Sequence, residues 1–86
     1  MKGKLRSSPG QHLRSIREKL GLTMREVEEA TRRLALNSRN AKMIVSPARL
    51  SNIENNNVAP SLFRAYALAK VYGCEVRDIL SIYGLE

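Results

Sequence analysis

Tryptophan is absent from this 86-residue chain, and all aromatic residues together make up only 5% of it. A core drawn from such a sequence has to be filled mainly by aliphatic side chains. Cysteine occurs once, at Cys74, which excludes an internal disulfide and fits a reducing compartment. Beside Gly73 and among apolar neighbours, Cys74 reads as packing rather than as a reactive thiol. His12 is the only histidine and has no Cys or His partner at ligand spacing, so no metal site is expected. Cys–His and Ser–His–acid constellations and glycine-rich phosphate loops are also missing, leaving no candidate catalytic residue and no cofactor. No apolar run approaches the length of a membrane span or of a signal-peptide core.

Acidic residues are missing from one long stretch. Residues 30–53 carry Arg32, Arg33, Arg39, Lys42 and Arg49 without a single Asp or Glu. Residues 1–19 hold six bases and one acid, residues 20–29 one base and three acids, and residues 54–86 three bases and four acids. The formal net charge of +7 is thus concentrated in the N-terminal part and in the 30–53 stretch. Such asymmetry suits a polyanionic partner, although a charge run taken alone also describes a solvated face. A hydrophobic content of 43% argues against disorder, and the length fits one domain with one small core.

Helix start signals recur five times, and nothing reads as a strand or an internal repeat. Ser8-Pro9-Gly10-Gln11 combines a capping box with a first-turn proline, and Leu13, Ile16 and Leu20 follow as an apolar face before Gly21. Thr23-Met24-Arg25-Glu26 is a second capping box, opening a helix with Val27, Ala30, Thr31 and Leu34 inside. Asn37-Ser38-Arg39-Asn40 reads as a turn or loop. Residues 41–45 are too short to classify, with Val45 placed as a hydrophobic staple before the next helix. That helix begins at Ser46-Pro47 and stops at Asn55-Asn56-Asn57; a segment this short needs docking, for which only Leu50 and Ile53 are suitable. Ser61 caps a fourth helix with Leu62, Ala65, Leu68, Ala69 and Tyr72 on one side, ended by Gly73. Val76, Ile79, Leu80 and Tyr83 mark a fifth, with Glu75 at its start. The expectation is an all-α, five-helix domain over residues 9–84, preceded by a basic tail at 1–8, with 85–86 set aside as a candidate cloning remnant.

In this order Gly21-Leu22-Thr23, Glu26-Val27, Ser46, Leu50-Ser51, Ile53-Glu54-Asn55, Pro60-Ser61-Leu62, Leu68-Ala69 and Gly73 resemble the phage-repressor type of helix-turn-helix domain, the Cro-type or XRE family. The resemblance covers roughly residues 10–82. It implies a five-helix DNA-binding domain whose third helix enters the major groove, working in the bacterial cytoplasm at the nucleoid as a homodimer on paired half-sites. It places Pro47, Ala48, Arg49, Ser51 and Asn52 toward the bases, and Thr23, Met24, Arg25, Ser46, Asn55 and Asn56 near phosphates. It also suggests an ion pair between Arg17 and Glu54, against the alternative of two unrelated surface charges. Three departures stand out: Met24 replaces a commonly found Gln, Asn56-Asn57-Val58 replaces a Gly- and cation-containing loop, and the 23 positions from Thr23 to Ser46 exceed the family pattern. The excess defines an insert at about residues 35–45, whose Arg39 and Lys42 are candidate phosphate contacts, against a tolerated surface insertion.

The chemistry of these residue types is compatible with that role. Asn bonds adenine N6 and N7 together, Ala contacts a thymine methyl, and Arg reaches guanine or a phosphate. For Ala48 helix propensity is an equal explanation, whereas a mid-helix Asn52 is otherwise mildly unfavourable. Phe63, Tyr66, Ile82 and Tyr83 are candidates for a dimer surface, against ordinary core packing. The function expected is sequence-specific binding of double-stranded DNA by a transcriptional regulator, with a C-terminal sensor domain as a further partner outside this chain. The alternative is an antitoxin-like or adaptor module that keeps the fold and binds protein. RNA recognition by stacking is disfavoured, since the four aromatics all lie in the less basic C-terminal part.

Overall fold

Each of the five helix starts carries a cap that the sequence marks. In the computed structural model, which describes residues 8–84, α1 spans Pro9–Lys19, α2 Met24–Ser38, α3 Pro47–Asn55, α4 Leu62–Tyr72 and α5 Val76–Ile82. The tail at residues 1–7 and the pair 85–86 lie outside the described residues. The Ser8 and Thr23 hydroxyls accept from the amides of Gln11 and Glu26, whose side chains accept in return from the Ser8 and Thr23 amides. Ser46 and Ser61 accept from the Arg49 and Arg64 amides, while the Glu75 amide donates to the Asp78 carboxylate. Each such cap supplies about 0.5–2 kcal/mol. No strand occurs among the described residues.

Leu13, Val27, Leu50, Leu68 and Ile79 are fully buried in one aliphatic core drawn from all five helices. Val45 belongs to the same core as Leu50, the arrangement a staple across the start of α3 requires. Leu20 and Leu62 fall outside it. They are 49% and 63% exposed, because Leu20 caps the end of α1 and Leu62 is the first helical residue of α4, each beyond the packed stretch.

The connection from α2 to α3 differs from the expected loop. Asn37 and Ser38 are helical, so α2 runs for 15 residues before Arg39 turns into the left-handed region at φ 52°. Residues Ala41–Met43 then form a 3-10 turn, started by the Asn40 side chain accepting from the Lys42 amide at 3.0 Å. The physical reason is a second small core, in which Ala35 from the added length of α2 meets Met43 and Ala67, with Leu34 and Ile44 packed around them. Stopping α2 before Asn37 would leave Ala35 in a fraying last turn. The buried Thr31 hydroxyl ties the far end of the connection by accepting from the Val45 amide at 3.0 Å.

Candidate nucleic-acid interface

With nine residues, α3 depends on what lies behind it. Arg17 on α1 reaches Glu54 in a two-pronged ion pair, with Nε donating to Oε2 at 2.7 Å and Nη2 to Oε1 at 3.0 Å. Both are buried, Arg17 at 8% and Glu54 at 2% exposure. The remaining guanidinium nitrogen Nη1 donates to the Leu22 carbonyl at 2.8 Å, so the same side chain also fixes the α1–α2 turn. The Glu54 carboxylate raises the pKa of Arg17 by hydrogen bonding, against the opposing effect of burial.

Two backbone contacts complete the rear of the helix. Gly10 lies so close to α3 that a Cβ there would overlap the Glu54 carbonyl. Its amide donates to Asn57 Oδ1 at 2.9 Å, and Asn57 itself takes a left-handed conformation at φ 56°. On the other side the Tyr83 hydroxyl donates to the Ile53 carbonyl at 2.9 Å. Contacts from α1 and from Tyr83 therefore hold α3 on its buried side.

Its outer side is small, polar and uncharged apart from Arg49. Ala48, Arg49, Asn52 and Asn55 are exposed, while Pro47 and Ser51 are half-buried. Asn52 Oδ1 accepts from Asn56 Nδ2 at 2.8 Å, and Ser51 Oγ accepts from Asn55 Nδ2 at 3.1 Å. Two side-chain pairs thus pre-order the polar face. To offer both amide atoms to one base, Asn52 has to release Asn56.

Arg49 and Asn52 line a groove of about 290 Å³ together with Pro60, Ser61 and Arg64. Arg64 is the residue that sequence reading missed. Its Nε donates to the Ile44 carbonyl at 3.0 Å, which turns a solvent-facing arginine into a wall of the groove. Burial, and then the Arg49 charge, lower its pKa. Arg49 and Arg64 both line the groove, and no carboxylate does. The one legible signal of Arg64 is its place three residues after the Ser61 cap, in the first turn of α4.

The other expected contacts are scattered around this face. Thr23 and Arg25 are exposed at the start of α2, and Ser46 is half-buried at the start of α3. Met24 packs its side chain on the core, leaving only its backbone amide available. Asn56 ends α3, exposed. Arg39 and Lys42 do not line the Arg49–Arg64 groove. The Lys42 ammonium sits 5.7 Å from the Phe63 ring centre, and Arg39 borders a separate groove beside α2. His12 is exposed on α1; Cys74 is half-buried, its thiol pKa pushed up by burial. No group of metal-ligating side chains occurs among the described residues, and no helix there is long and apolar enough to cross a membrane.

Residues 40–79 match the helix-turn-helix family model. The match begins at Asn40, just past the long α2, and takes in α3, α4 and the first part of α5. Neither curated proteins nor solved structures gave a match. Fold and match together define the class: a helix-turn-helix domain, all-helical, of a kind that binds DNA. The matched model is that of the phage-repressor, Cro-type (XRE) helix-turn-helix, a family of DNA-binding domains and not of enzymes, and it covers residues 40–79 of the chain.

Proposed function

We propose that the protein binds double-stranded DNA sequence-specifically as a bacterial or phage transcriptional regulator, with α3 in the major groove. The observation that carries this reading is the polar, acid-free outer face of α3 bordered by the unneutralised pair Arg49 and Arg64. Affinity then comes from phosphate neutralisation and sequence preference from base edges. Asn52 reads adenine, Ala48 contacts a thymine methyl, and Pro47 and Ser51 shape the approach. Arg49 and Arg64 grip phosphate or guanine, supported by Thr23, Arg25, Ser46, Asn55, Asn56 and the Met24 amide. Arg39 and Lys42 lie further out and add to the field that draws the duplex in.

A two-fold dimer would set two copies of α3 about 34 Å apart on a near-palindromic site. Ile82 and Tyr83 are packed against the core, so the surface proposed for pairing reduces to Phe63 and Tyr66, joined by the exposed Leu62. Selection of bound duplexes from a random pool at two salt concentrations tests the reading. A palindromic consensus with steep salt dependence is expected. Binding without salt dependence, or no consensus at all, would leave the protein-binding module as the better description.

A further inference from the structure

A second groove lies away from α3, between the last turns of α2 and the 3-10 turn. It has a volume of about 450 Å³ and is lined by Arg32, Ala35, Leu36, Arg39, Ala41 and Ile44. Its floor is aliphatic, two guanidinium groups stand at its edge, and no acid lines it. Arg32 is already shared with Glu28 through Nη2 at 3.1 Å, whereas Arg39 makes no ion pair among the described residues. Leu36 is 73% exposed, the most exposed of the large apolar side chains there.

The conformation of Arg39 is a separate clue. It ends α2 in the left-handed region at φ 52°, a position where helices favour Gly or Asn because a larger side chain is strained. A strained non-glycine residue points from the observed backbone to a use for its side chain. Here that side chain is the unpaired cation beside an exposed leucine and an apolar floor. Phosphate binding gains nothing from such a floor. A partner that brings both carboxylates and apolar side chains satisfies every part of it.

We propose that this groove docks an acidic amphipathic segment of a protein partner, with aliphatic side chains of the partner over Leu36, Ala35 and Ile44 and carboxylates on Arg39 and Arg32. The site uses none of the α3 face and shares with the DNA reading only Arg39, whose part there is limited to the long-range field. The probe is a synthetic helical peptide with leucines at i, i+4 spacing and glutamates elsewhere. Its controls carry lysine for glutamate or serine for leucine. Titrated into the full chain and followed by amide chemical shifts, the acidic peptide should saturate and perturb residues 32–44, while both controls fail.

Arg39→Gly and Leu36→Gln should each raise the Kd about tenfold, in the range that interface arginines and apolar anchors reach. Arg39→Gly should leave Tm unchanged or raised, since glycine suits the left-handed position, so weaker binding cannot come from a damaged fold. Binding of the lysine peptide equal to that of the acidic one would overturn the proposal, as would full affinity in both variants. So would failure of the acidic peptide to bind. If Arg39→Gly then flattens the slope of log K against log[salt] for duplex DNA by about 0.9, the cation serves phosphate, and the DNA reading stands while this one falls.

Discussion

The two sides from which α3 is held are built differently. On the α1 side one buried ion pair, one glycine contact and one asparagine turn fix the helix through groups with strict geometry. On the α2 side the chain arrives through an eight-residue connection whose buried content is mainly Met43 and Val45, with the Thr31 hydroxyl as its main polar tie. The first arrangement specifies orientation, because a two-pronged guanidinium–carboxylate pair tolerates little rotation. The second positions the start of α3 through packing, which leaves room for the connection to vary in length and to carry other surfaces. The helix α3 can therefore stay accurately placed while the segment leading into it is remodelled.

The strongest way to break this contrast is Glu54→Ala. Removing one partner of a buried pair leaves Arg17 charged and unpaired, at a cost of about 3–5 kcal/mol. Urea unfolding is the measurement. A loss below about 1 kcal/mol would mean that the pair behaves like an exposed one and that the α1 side is no stricter than the other.

Gly10→Ala comes next. The added methyl meets the Glu54 backbone carbonyl, which cannot swing aside as a side-chain tip would, so α1 and α3 have to separate. Overpacking of this kind costs about 1–3 kcal/mol, and the rigid neighbour places this case toward the upper end. A Gly10→Ala variant with the melting temperature of the parent would show that the seam is looser than described.

Thr31→Val probes the α2 side with nearly constant volume. It leaves the Val45 amide buried without its acceptor, a loss of about 1–2 kcal/mol, within the usual penalty for an unsatisfied buried donor. Because Val45 leads directly into the Ser46 cap, DNA affinity should fall along with stability. If Thr31→Val costs as much as Glu54→Ala, the two sides are equally strict and the comparison fails.

These same residues show what was legible beforehand. The caps at Ser8, Thr23, Ser46 and Ser61 were readable because capping is local chemistry, decided within three residues. Val27 and Thr31 on α2 and Ile79 on α5 followed from periodicity, whereas the expected Ala30 and Leu34 are only half-buried and Ala35 is buried instead. The reach of α2 through Asn37 and Ser38 did not follow from periodicity, since it depends on Ala35 meeting Ala67, more than thirty positions away. Leu20 and Leu62 continued an apolar pattern one turn beyond the part that packs. In the candidate site, Arg49 and Asn52 were expected from the family resemblance, and both line the groove beside α3. Arg64 escaped because its membership rests on a tertiary bond to the Ile44 carbonyl. The Gly10 contact was hidden behind a capping motif that already explained the glycine's neighbours.

The smallest expected effect lies on the third neighbour of α3, where α5 adds Tyr83. Burial, and then the Glu54 charge, raise its pKa to about 12 from 10.0. The phenol has to stay protonated to donate to the Ile53 carbonyl. Its folded pKa exceeds the unfolded one, so the contribution is fully present below about pH 10 and fades as pH rises through about 12. Tyr72, buried more deeply, is shifted in the same direction, again chiefly by burial. Phenolate absorbance carries no tryptophan overlap, and the Tyr83 share of it is the difference between the parent and Tyr83→Phe. Tyr83→Phe should lose about 0.5–1.5 kcal/mol at neutral pH, the net worth of one hydrogen bond, and its stability should then decline less steeply than the parent's above pH 10. An unchanged alkaline decline would mean that the Tyr83 bond does not hold α3, leaving the α1 seam as its strict anchor.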